Sequence, residues 1–98
     1  MSSVDTSGLV AVFEEARALM RAPGNDVLRS SWMSTSEPLM QIDGMLSELR
    51  RGLLPDLMEM KLLFAPTGDL QEVSLGSGWA DEFLMLAARF DTELDRLP

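Results

Sequence analysis

The side chains able to do chemistry in this chain are almost all carboxylates. Sixteen Asp and Glu stand against eight Lys and Arg, and Cys, His and Tyr are each absent. The chain therefore has no thiolate nucleophile, no imidazole base and no Cys/His zinc site. Glu14/Glu15 and Asp81/Glu82 come nearest to an acid–base pair, but neighbours on a helix point about 100° apart and do not converge. Asp91, Glu93 and Asp95 alternate, yet no stretch has the Gly and distant Glu of a calcium loop, and alternate residues on a helix diverge. These acids read as solvated helix faces. The expectation is a protein that is not an enzyme, with no catalytic residue, no cofactor and no metal site.

The charge carries more information. The formal net charge is −8, with seven acids and three bases in residues 1–49 and nine acids and five bases in 50–98. The imbalance is spread through the chain and not gathered in a tail. Nucleic acid is disfavoured as a partner, because a phosphate backbone needs clustered bases and Lys61 is the one lysine. An anionic membrane surface is disfavoured for the same reason. No apolar run reaches the length of a membrane span, and Met1–Asp5 lack the basic and apolar regions of a signal peptide. A cytoplasmic location is the expectation.

Gly and Pro divide the 98 residues into helical segments of one domain, 1–98. The first runs from about Gly8 to Ala22, with Leu9, Val12, Phe13, Ala16, Leu19 and Met20 on one face, Ser7 as its cap and Pro23-Gly24 as its end. A connector over 25–35 follows, with a short turn carrying Val27 and Leu28. The second helix starts at Ser36 with Pro38 in its first turn. Leu39, Ile42, Leu46, Leu49 and Leu53 form its seam, and Gly52 stops it. A third segment opens with Pro55 and Asp56. It is apolar on all sides through Leu57, Met58, Met60, Leu62, Leu63 and Phe64, which predicts burial. Its continuation is either a kinked helix pair or a β-hairpin over 61–75. Asp69-Leu70-Gln71-Glu72 has the arrangement of a capping box and favours the helix. After Gly76-Ser77-Gly78, a last helix from Trp79 to Leu94 carries Trp79, Phe83, Leu86, Phe90 and Leu94. The predicted fold is a small antiparallel all-α bundle of four main helices, the third kinked; the alternative is α+β with the hairpin.

Two further features have competing readings. Trp79 and Phe83 reproduce the spacing of the WxxxF motif of peroxisomal import receptors, but their stripe continues into Leu86 and Phe90, so core packing accounts for them better. The eight methionines, among them Met33, Met40, Met45, Met58, Met60 and Met85, suit either an adaptable binding surface or gaps in a core.

The layout of these residues resembles the small all-helical immunity proteins of bacterial type VI secretion systems. In particular it is similar to those that neutralise an NAD(P)-degrading toxin. The resemblance spans about residues 9–90: a first helix ending at Pro23-Gly24, then Val27-Leu28 and Ser30, a second helix with Leu39, Ile42 and Leu46, a third segment with Leu62 and Glu72, and an acidic last helix. The chain departs from that pattern at Phe64–Gly68, where Pro66 and Gly68 interrupt a longer helix, and in its lack of tyrosine. The resemblance implies occlusion of a cognate toxin domain, with acids standing in for the phosphates of the toxin's nucleotide substrate. The expected contact face is Asp56, Glu59, Asp69, Glu72, Asp81 and Glu82, with Trp79 as aromatic anchor. The rival reading is a self-associating bundle, a homodimer that buries the third segment and the surplus methionines against a second copy.

Overall fold

Five helices make up the regular structure: α1 (Ser7–Arg21), α2 (Ser36–Arg50), α3 (Leu57–Leu63), α4 (Asp69–Ser77) and α5 (Ala80–Asp95). They come from a computed structural model that describes residues 5–27, 30, 32–66 and 68–97. Leu28 in the expected short turn, Thr67 in the expected break and Met1–Val4 lie outside the described residues. No strand occurs among the described residues, so the fold is all-α and the segment 61–75 does not form a hairpin. The expected kinked pair is two separate helices, α3 and α4, which makes five helices among the described residues and not four. Ala65 and Pro66 lie between them, and Gly68 is the N-cap of α4, with an extended backbone (φ −85°, ψ 174°).

Local chemistry sets each boundary. Ser7 is the first residue of α1 and not its cap; Thr6 holds the cap position, and ahead of it Asp5 Oδ1 accepts from the Ser7 amide (3.1 Å) and hydroxyl (2.8 Å). The hydroxyl bond, then the amide bond, hold the exposed Asp5 carboxyl below the ordinary carboxylate range. Because the folded value is depressed, this small contribution is complete above the ordinary carboxylate range and is lost as pH falls through the folded value. At the other end of α1, Ala22 turns extended (ψ 144°) ahead of Pro23. Helix α2 ends in a Schellman motif: Gly52 N–H donates to Leu49 O and Leu53 N–H to Glu48 O, both at 3.0 Å, with Gly52 at φ 75°. Leu53, expected to close the α2 seam, falls beyond this stop and is 51% exposed. Asp56 caps α3 by accepting from the Glu59 amide at 3.0 Å, which leaves Pro55 just outside the first turn. Helix α4 begins at Asp69, so that acid is the first helical residue and the expected capping box is not formed; the Glu72 amide donates to Gly68 O.

Helix α1 is central: it packs on α2 and on α5, and α4 packs on α5. Phe13 of α1 meets Phe64, at the end of α3, edge-on at 5.4 Å between centroids, and Phe64 stacks on Phe90 of α5 at 4.6 Å. Around this trio lie Leu9, Val12, Ala16, Met20, Ile42, Leu46, Leu49, Leu63, Leu70, Val73, Phe83 and Leu86. Leu19, Leu39 and Leu94, expected in the core or on its stripes, are partly buried at its edge. Both aromatics of the WxxxF spacing are inside it, Trp79 at the start of α5 and Phe83 one turn on. Three surface ion pairs bridge α1 to its neighbours: Arg17–Asp43, Arg50–Glu14 and Arg89–Glu15. Exposed pairs of this kind add little stability, but they occupy three of the chain's bases.

One side chain joins both ends of the fold. The Nδ2 amide of Asn25 donates to the carbonyls of Leu19 (2.8 Å), Met20 (3.0 Å) and Ala22 (3.0 Å), the acceptors left open at the end of α1. Its Oδ1 accepts from the indole Nε1 of Trp79 at 2.7 Å, 54 residues away. Next to it, the Asp26 amide donates to Ser77 Oγ at 2.9 Å.

The all-round apolar third segment is not buried all round. Met60 and Leu63 face inward, but Leu57, Met58 and Leu62 are exposed, because a helix carrying apolar residues on every side can bury only one of them.

Phe64→Ala is expected to cost about 3–5 kcal/mol in chemical denaturation, since it removes the ring that both other phenylalanines touch. Asn25→Ala should cost about 1–3 kcal/mol by leaving the Trp79 N–H and the α1 carbonyls without partners. In a double-mutant cycle with Trp79→Phe the two losses should be less than additive.

Candidate functional site

Between α2 on one side and α3 with the start of α4 on the other runs an open groove of about 600 Å³. Helix α2 contributes Glu37, Met40, Gln41, Gly44, Met45 and Glu48, a set spaced by threes and fours along one helical face. The opposite wall carries Asp56, Glu59, Leu62 and Leu63, and Asp69 and Leu70 close it from α4. Trp32 borders it from the connector. The lining holds five carboxylates and not one Lys or Arg.

The groove is acidic at its rim and apolar within reach of that rim. Met40 is 74% exposed and Leu62 is 60% exposed. Glu37, Glu48 and Glu59 take part in no ion pair among the described residues, whereas Glu14, Glu15 and Asp43 are matched by arginines on the α1 side. Pairing therefore quenches charge around α1 and leaves it on the groove. No group of three or more acids among the described residues is arranged to hold a metal ion. The carboxylates act as a spread negative field rather than a chelate.

Gly44 is an exposed residue of the lining. It sits in the middle of α2, where glycine is unfavourable by about 0.5–1 kcal/mol relative to alanine. A Cβ built there meets no atom within 4 Å. No packing constraint within the chain requires a glycine at that point.

Of the acids expected at a contact face, the structure brings Asp56, Glu59 and Asp69 to this one groove. Glu72, Asp81 and Glu82 do not line it. Trp79, the expected anchor, is 7% exposed and its N–H is taken by Asn25, so its ring is spent on the fold. Two acids of the lining, Glu37 and Glu48, were not among those expected. Their signal was the spacing with Met40, Gln41 and Gly44 on the face of α2 turned away from its apolar seam. Of the six methionines named above, Met45 and Met60 are buried, while Met33, Met40, Met58 and Met85 are exposed.

Compared with protein-family models, curated proteins and solved structures, the chain finds no match. The groove must be interpreted from its own chemistry.

Gly44→Ala is expected to raise stability by about 0.5–1 kcal/mol, read as a higher midpoint in urea. A lower midpoint would mean that the space above Gly44 is filled in solution.

Proposed function

We propose that the chain is a non-catalytic immunity protein that binds a cognate bacterial toxin and occludes its active site in the cytoplasm. The observation that supports this reading is the α2/α3 groove, which has five carboxylates, no base and open space at Gly44. A toxin that degrades a dinucleotide must hold phosphates, and basic side chains hold phosphates well. A surface that offers carboxylates in place of phosphates attracts such a cleft at long range and covers it at contact. Exposed Met40 and Leu62 supply adaptable apolar contact beside the charges. The inhibitor does no chemistry of its own; it denies the nucleotide its place.

The test is to recover the partner on the tagged protein, identify it, and measure its consumption of NAD(P) with and without the inhibitor. Wild type should suppress that activity. The double reversal Glu48→Lys/Glu59→Lys should slow association and weaken binding about tenfold or more, while leaving the helical circular dichroism signal intact. Gly44→Leu should block the groove without changing any charge and lose binding to a similar degree. A toxin inhibited equally well by both variants would remove this groove from the interface. A recovered partner without NAD(P)-degrading activity would overturn the toxin assignment.

A further inference from the structure

A second groove, of about 630 Å³, lies on the other side of α3, and its lining differs in kind. Leu54, Leu57 and Leu97 give it an apolar floor, Lys61 rises from α3, and Asp91 and Asp95 stand one turn apart on α5. Leu54 and Leu57 are about half exposed, side by side with the charges. Neither Lys61 nor the two acids form an ion pair among the described residues. The first groove carries one sign of charge; this one carries both.

We propose that this groove is a two-fold interface that takes a second copy of the same chain. The argument is charge complementarity. In a two-fold dimer the same patch is present on both sides, so each residue contacts the partner copy's counterpart of its neighbour. A patch of one sign would repel itself, as the acidic groove must. A patch with a lysine beside two aspartates matches its own copy: Lys61 of each chain faces Asp91 and Asp95 of the other. The apolar floor supplies the attraction, and the crossed charges fix register and exclude wrong pairings. Helical periodicity keeps the two surfaces apart, because Glu59, Leu62 and Leu63 turn toward the acidic groove while Leu57, Met60 and Lys61 turn toward this one. A dimer formed here leaves the acidic groove open, so the proposal holds whatever fills that groove.

The decisive experiment is sedimentation of the full chain and two charge variants, alone and mixed. Wild type is expected to reach the mass of two chains as concentration rises. Lys61→Glu alone, and Asp91→Lys/Asp95→Lys alone, should each weaken dimerisation about tenfold or more, because like charges then face each other. Mixed in equal amounts, the two variants should pair, since every crossed contact is again between opposite charges. A wild type that stays a single chain at all concentrations, variants that dimerise as wild type does, or a mixture that fails to pair would each overturn the proposal. All three side chains lie on the surface, and helical circular dichroism checks that each variant is folded. Should a variant be unfolded, Leu57→Glu, on the exposed floor, is expected to abolish the dimer by itself; a dimer that survives it overturns the interface.

Discussion

The carboxamide of Asn25 ties the end of α1 to the junction of α4 and α5. Helix α1 packs on both α2 and α5, so the direction in which the chain leaves α1 decides where everything later can go. Pro23 forces the chain out of the helix, and the carbonyls that the helix leaves open need donors. Asn25 supplies them with its amide group and presents its oxygen to the indole of Trp79 at the junction of α4 and α5. One side chain thus ends the first helix and locates the last one. The phenylalanine trio then fills the space so defined, with one ring each from α1, the end of α3 and α5.

What could be read from the sequence follows from how local each cause is. Helices α1, α2 and α5 are long and amphipathic, and their apolar periodicity together with Pro23, Gly52 and Gly78 places them within a residue or two of their observed limits. The third segment has no such contrast, and its apolar character on all sides suggested burial. Burial belongs to the neighbours a helix has and not to its composition, and a helix of seven residues has few neighbours. The role of Trp79 was hidden for a related reason. Its partner lies 54 residues away, and no local pattern distinguishes an indole that anchors a complex from one that bonds an asparagine. In the groove, Asp56, Glu59 and Asp69 come close in sequence and were legible together. Glu37 and Glu48 join them only once α2 is laid alongside α3, a tertiary fact.

The exposed apolar residues are the consequence of that short third helix. Capped by Asp56 and ending at Phe64, α3 contributes Met60, Leu63 and Phe64 to the core and leaves leucines and a methionine on two outward faces. The helix therefore works as a wall between two surfaces of different electrical character, one uniformly negative and one mixed. A longer, more buried helix would have supplied more core and neither surface.

The node at Asn25 contains an amide, an indole and peptide carbonyls, and none of these is charged. The rim of the acidic groove is the reverse, made of charges that pack against little. What makes this chain fold and what gives it its outward electrical signature are thus written largely in separate residues, with Asp56, which also caps α3, belonging to both. Exchanges at Glu37, Glu48 or Glu59 can retune what the surface attracts at small cost to the folded state. Asn25 has no such latitude, because its replacement is felt in the interior whatever the surface meets. The charge of the rim can therefore change while the scaffold beneath it stays fixed.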